Sequence, residues 1–198
     1  MTLPVRETAE RHHSRLSSVP PDDALVARTR AGDTAAFETL FHTYYAPLCQ
    51  LVDSYVRSSG TAEEIVQSLF LRLWEQRATW TVRDTVRVYL YGAARRRALD
   101  FLKHERVVQR FERAAAGDLI GRGVSEIDED ERLDAVERSR RLRQAIAGLP
   151  EHYRAVLTLR AQHHLTIPAI ARILGIPIKT AETRAARAIK AVRDTLFG

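Results

Sequence analysis

Residues 166–193 read TIPAIARILGIPIKTAETRAARAIKAVR: an apolar helical segment, a tight Gly-Ile-Pro turn and a second helical segment. This is the helix-turn-helix pattern, in which the second helix lies in the major groove of duplex DNA. In that second helix Ile178, Ala181, Ala185, Ala188 and Val192 recur at helical spacing and form one inward stripe. The stripe leaves Lys179, Thr180, Glu182, Thr183, Arg184, Ala186 and Arg187 on the other faces. Arginine pairs with guanine in bidentate fashion and glutamate accepts from cytosine, so Thr183, Arg184, Arg187 and Glu182 suit base edges. Lys179 and Thr180, near the helix start, suit backbone phosphates. The plain alternative is a helical hairpin with a solvated basic face. A net charge of +9 over residues 138–198 favours the polyanion.

A second basic cluster is Arg95-Arg96-Arg97 with Lys103, interleaved with Trp80, Tyr89, Tyr91 and Phe101. Bases stack on rings while cations follow the backbone, so this mixture suits single-stranded nucleic acid. The competing explanation is that the rings are core and the arginines a solvated face. Other chemistry is poorly represented. His12-His13 and His163-His164 are adjacent pairs without the i,i+4 spacing of a helical zinc site. Cys49, the one cysteine, reads as a small hydrophobe inside a helix. No GxxxxGK[ST], GxGxxG or nucleophile-elbow serine occurs, and no catalytic constellation, metal site or cofactor motif is predicted.

These residues need helices to position them. The chain has 198 residues, enough for one domain or two small ones at ~150 residues per domain. No apolar run approaches the roughly 18 residues of a membrane-spanning helix, and no secretory signal is readable. With a single cysteine this predicts a cytoplasmic protein. Charge is uneven: −1 over residues 1–24, +3 over 25–104, −5 over 105–137 and +9 over 138–198. An acidic joint between basic blocks is repelled by nucleic acid while its flanks are attracted.

Residues 1–23 read as a disordered extension ending near Pro20-Pro21. A short helix follows Asp22-Asp23 and stops at Gly32; a long one begins at Asp33, carries Phe37, Leu40, Phe41, Tyr44, Leu48, Leu51, Val52 and Tyr55, bends at Pro47 and ends at Gly60. Thr61 with Glu64 reads as a capping box opening a third helix, whose buried face is Ile65, Val66, Leu69, Phe70, Leu73 and Trp74. Residues 76–85 read as a loop, and a fourth helix runs from about Asp84 past Lys103. Residues 107–137 read as an acidic flexible linker. Four short helices follow in 138–198. No segment alternates as a strand, so the predicted fold is all-α: two small helical domains, 24–106 and 138–198, joined by that linker, the second containing the helix-turn-helix.

AGDTAAFETLFHTYYAPL, AEEIVQSLFLRLWE, YLYGAARRRALDFLKHER and AGLPEHYRAVLTLR, followed by the helix-turn-helix, together resemble the bacterial sigma-70 family, in its small extracytoplasmic-function group. Several ordered motifs are far more specific than one helix-turn-helix. The resemblance implies a dissociable, non-enzymatic subunit that gives core RNA polymerase its promoter specificity. It implies that the Thr61 helix docks on polymerase through Glu64, Gln67, Ser68, Leu71 and Glu75. It assigns Arg77, Trp80, Arg83, Tyr89, Arg95, Arg96 and Lys103 to the melted minus-ten strand, and the helix-turn-helix residues to the minus-thirty-five duplex. An anti-sigma factor is a further candidate partner; membrane insertion is not expected. Arg96 stands where the family usually has Asn, and Tyr89 where Trp is common. A stand-alone helix-turn-helix regulator is the alternative, but the chain shows neither a heptad seam nor a sensor-like α/β segment. A nucleic-acid enzyme would need clustered carboxylates, and the only such cluster, Asp128 to Glu131, lies in the linker.

Overall fold

The computed structural model describes residues 22–115 and 133–197. Eight α-helices occur among them: α1 (Asp22–Arg30), α2 (Thr34–Val56), α3 (Ser59–Glu75), α4 (Val86–Ala115), α5 (Leu133–Ala147), α6 (Glu151–Ala161), α7 (Ile167–Leu174) and α8 (Ile178–Phe197). No strand occurs among the described residues, as the sequence predicts.

Local chemistry sets the helix ends. Gly32 takes φ +92°, which suits its lack of a Cβ, and Asp33 then caps α2 by accepting from the Ala36 amide at 3.1 Å. That hydrogen bond, followed by the Arg28 guanidinium, holds the Asp33 carboxyl below the usual carboxylate range. Pro47 lies inside α2, which continues through it. The α2–α3 boundary falls earlier than the capping box predicts. Arg57 adopts a left-handed conformation (φ 57°) that closes α2, and Ser58, not Thr61, is the α3 cap, its hydroxyl accepting from the Thr61 amide. Ser58 supplies the same acceptor three residues sooner, so Gly60 sits in the first turn of α3 instead of ending α2.

The helices also reach into the predicted linker. α4 runs through residues 107–115 and α5 begins at Leu133. The sequence VVQRFERAA is rich in good helix formers, and an established helix extends cheaply once nucleated. The predicted extension up to Pro21 and the rest of the linker, 116–132, lie outside the described residues.

α2 is the central helix of the N-terminal bundle. Its Leu40, Leu48, Leu51 and Val52 are buried together with Val66, Leu69 and Phe70 of α3 and Val86, Leu90 and Ala94 of α4. Phe37 and Phe41 add aromatic contacts, with ring centroids 6.0 and 4.9 Å from Phe70. Trp74 is half-buried, 5.1 Å from Phe37, at the rim and not within the buried face. The Tyr44 hydroxyl donates to Asp22 and ties α1 to this bundle.

The C-terminal helices rest on the bundle in this structure. Val156, Leu159, Leu165, Ile170, Ile173 and Ala185 belong to the same buried cluster, and α7 packs on α4. Polar groups line the seam. Arg87 donates to the His163 carbonyl, the Tyr91 hydroxyl lies 3.2 Å from His163 Nδ1, and Arg172 pairs with Asp84.

Candidate nucleic-acid and polymerase interface

The helix-turn-helix is α7 and α8. Thr166 caps α7 by accepting from the Ala169 amide, with Pro168 tolerated in the first turn. Gly175 closes α7 at φ 65°, and the Ile176 amide donates back to Ala171 at 3.0 Å. This left-handed turn starts α8 in a new direction. Ala181, Ala185, Ala188 and Val192 are buried as the stripe predicts. Ile178, assigned to the same stripe, is instead 51% exposed: it is the first residue of the helix and projects before the packing begins.

The outward strip matches the sequence reading. Lys179, Glu182, Thr183, Ala186 and Arg187 are exposed, and Thr180 and Arg184 half-buried. Lys179 and Glu182 lie 3.5 Å apart, a loose pair at 89% and 50% side-chain exposure. The Thr183 hydroxyl donates to the Lys179 carbonyl at 2.9 Å, so its acceptor lone pairs face outward. Sequence reasoning missed two further residues. His152 and Tyr153, at the start of α6, border a cavity of about 280 Å³ whose other wall is this strip. Only the packing of α6 on α8 brings them there, and no motif in the sequence marks them.

The second basic cluster is only partly assembled. Arg83, Arg96 and Lys103 are exposed. Arg77 is half-buried, its guanidinium 4.3 Å over the Trp74 ring and donating to the Trp74 carbonyl at 2.8 Å. Trp80 departs from the expectation of a strand-facing ring. It is 5% exposed, tilted against the half-buried Tyr89 at 5.8 Å, because the loop after α3 folds it under the start of α4. Tyr91 is likewise core, at 2% exposure, and Phe101 is the one ring of the four that is exposed. Arg95 is half-buried with its Nε fully enclosed and unpartnered. Its cation lies near Tyr55, where burial raises the phenol pKa and Arg95 opposes that rise. For Trp80 and Tyr91 the competing explanation is therefore the correct one in this conformation.

On α3, Glu64, Gln67, Ser68, Leu71 and Glu75 are all exposed along one outer strip. Gln67 donates to the Tyr45 hydroxyl at 3.2 Å, and Arg97 donates to the Ser68 hydroxyl at 3.0 Å. Leu71, 58% exposed, is the apolar residue in this polar strip.

Two family models match the chain: sigma-70 region 2 over residues 40–107 and sigma-70 region 4 over residues 139–192. The chain is 28% identical over 179 residues to the ECF RNA polymerase sigma factor SigW of Bacillus subtilis (strain 168), covering 86% of this chain and 94% of that protein. It is 29% identical over 181 residues to the ECF RNA polymerase sigma-E factor of Escherichia coli (strain K12), covering 86% and 92%. Two solved structures share the fold. CnrH in complex with the cytosolic domain of CnrY gives a TM-score of 0.63 at 21% identity, over 88% of this chain and 96% of that one. The sigma factor RpoE in complex with the anti-sigma factor NepR, from Bartonella quintana, gives 0.61 at 19% identity, over 81% and 96%.

Proposed function

This chain belongs to the sigma-70 family, in its extracytoplasmic-function group, and we propose how its two helical parts divide the work of promoter-specific initiation. A sigma factor binds core RNA polymerase and directs it to promoter DNA. In the proposed division, the outer strip of α3 (Glu64, Gln67, Ser68, Leu71 and Glu75) docks on core polymerase. Exposed Leu71 supplies the apolar centre that such an interface needs, ringed by polar groups. The loop after α3 and α4 as far as Lys103 face the melted minus-ten strand through Arg77, Arg83, Tyr89, Arg96 and Lys103. Trp80 and Arg95 join them only after the packing around them loosens. α8 enters the major groove of the minus-thirty-five duplex, with Thr183, Arg184 and Arg187 toward base edges and Lys179 and Thr180 toward phosphates.

Sigma factors are non-enzymatic initiation factors, and the proposed division assigns no catalytic residue, metal or cofactor. An anti-sigma factor is a further proposed partner. Among the described residues no helix is long and apolar enough to cross a membrane. The proposed location is the cytoplasm, where polymerase and DNA meet.

The observation that carries this is the presence of both family regions, in order, on one chain. A stand-alone regulator needs no region 2. Run-off transcription is the test. Core polymerase alone should give no specific transcript, and core with this chain should start at one position on a cognate promoter. Promoter binding by the chain without any core-dependent transcript would favour the stand-alone regulator.

A further inference from the structure

α8 carries one acidic side chain where its charged neighbours are all basic. Between residues 178 and 193 Glu182 is the only carboxylate, among Lys179, Arg184, Arg187, Lys190 and Arg193. The direction opposite the buried Ala181, Ala185 and Ala188 passes between Lys179, Thr183 and Ala186, with Glu182 flanking it on one side and Arg187 on the other. Glu182 therefore stands on the outward face. A role in holding the helix together does not account for it. Its contact with Lys179 is 3.5 Å long, between side chains 50% and 89% exposed, and a lysine N-terminal to its glutamate is the poorer order on a helix.

Near a polyanion a carboxylate costs affinity, because the phosphates repel it. A hydrogen-bond donor offsets that cost, and the major groove offers two, cytosine N4 and adenine N6. The adenine amino group lies between two acceptors, its own N7 and thymine O4, and both repel a carboxylate that approaches it. The cytosine amino group has an acceptor, guanine O6, on one side only. Thr183 and Ala186 beside Glu182 are small and exposed, so the helix can sit deep enough for a glutamate, shorter than an arginine, to reach the groove floor. We propose that Glu182 is the specificity-determining residue for one cytosine of the upstream element, and that it acts mainly by excluding the other bases. The proposal rests on α8 entering the major groove. Within that frame the arginines add affinity, whereas Glu182 lowers affinity for DNA in general and sharpens discrimination.

The test uses holoenzyme assembled from the full chain and core polymerase, with each enzyme selecting duplexes from a random-sequence library. Wild type should select an upstream element with a C·G pair at one position that Glu182→Gln turns to A·T, since a glutamine amide pairs with adenine N6 and N7 in bidentate fashion. Glu182→Ala should lose preference at that position and keep it at the others. Titration then separates exclusion from attraction. Replacing that cytosine in the selected element should raise Kd roughly tenfold for wild type and about twofold or less for Glu182→Ala. On a scrambled upstream element Glu182→Ala should bind several-fold more tightly than wild type. Glu182 is exposed, so thermal unfolding of the full chain should be unchanged.

Identical selected elements for wild type and Glu182→Gln would overturn the proposal while leaving promoter recognition intact. So would weaker binding of Glu182→Ala to selected and scrambled duplexes alike, which would make Glu182 a support for Lys179. If wild-type holoenzyme selects no upstream sequence, promoter recognition itself fails, and the proposal with it.

Discussion

α2 buries Leu40, Leu48, Leu51 and Val52 almost completely, while α8 buries only Ala181, Ala185, Ala188 and Val192. Fully burying a leucine is worth ~1.5–3 kcal/mol, and each methyl of an alanine about 0.8 kcal/mol. The N-terminal bundle therefore carries a core that can hold itself together. The recognition helix gains close approach to α6 but little transfer energy, and its part of the chain leans on α4. The surface it leans on is partly polar, through Arg87, Tyr91, His163, Asp84 and Arg172. An apolar core resists being parted, whereas a seam with polar groups leaves those groups solvated when it opens. The difference predicts permanence for the bundle and adjustability for the placement of α8.

The largest expected effect tests the two cores directly. Leu51→Ala should cost about 2–5 kcal/mol of unfolding free energy, since the cavity it leaves in α2 cannot collapse. Ala188→Gly in α8 should cost about 2 kcal/mol, about 1 from backbone entropy and about 0.8 from the buried methyl. Urea unfolding followed by circular dichroism measures both, and equal losses would erase the contrast.

The seam has its own signature, in pH. Burial, then the neighbouring Arg87 and His164 charges, push the His163 imidazole down to about 4, against 6.5 unperturbed. Between those values the unfolded chain binds more protons than the folded one, so stability is complete above pH 6.5 and falls as pH drops toward 4. The loss approaches about 3 kcal/mol at the lower end, at ~1.4 kcal/mol per unit. Glutamine fills similar space without titrating, so His163→Gln should flatten this slope in unfolding curves from pH 7 to 4. An unchanged slope would place the acid sensitivity elsewhere.

Periodicity made most of the bundle legible. The apolar positions of α2 and α3 recur at helical spacing, and burial follows them, with Phe37, Phe41, Tyr55 and Trp74 half-buried. Gly175 and Thr166 marked the helix-turn-helix because each has one local job: a left-handed turn and a cap. The Ser58 cap was missed because Thr61 with Glu64 offers an equally good local pattern, and only the left-handed Arg57 decides between them. The burial of Trp80 and the partial burial of Arg95 were not legible for a different reason. Composition shows rings and cations mixed in one stretch, but which of them face inward depends on how the loop after α3 folds back. His152 and Tyr153 became visible only through the contact of α6 with α8, a long-range fact.

Surface substitutions should leave both cores intact and act on partners. Leu71→Asp would bury an unpaired carboxylate against core polymerase, and binding should fall at least tenfold, about 1.4 kcal/mol. Its unfolding free energy should stay within about 0.5 kcal/mol of wild type. Arg184→Ala and Arg187→Ala should each cost about 1–3 kcal/mol on the selected upstream element. A titration of labelled variant with core enzyme checks the first, and competition between selected and scrambled duplexes the second. Wild-type affinity in folded Leu71→Asp would remove α3 from the docking surface.

The smallest effect is expected where the seam meets solvent. Arg172 is 60% exposed and Asp84 28%, so their ion pair gains modest Coulomb energy in a high-dielectric setting and spends side-chain entropy to form. A double-mutant cycle of Asp84→Asn and Arg172→Gln in the full chain should return a coupling of roughly 0.2–1 kcal/mol. Screening should remove most of it at 1 M salt, where the Debye length is ~3 Å. Arg172 has no other acidic partner in the structure among those described, so the cycle isolates one interaction. A coupling above about 2 kcal/mol that persists in salt would mean the seam is a desolvated, permanent junction. The contrast between a fixed bundle and an adjustable recognition helix would then fail, and α8 would have to reach its duplex from one fixed position on α4.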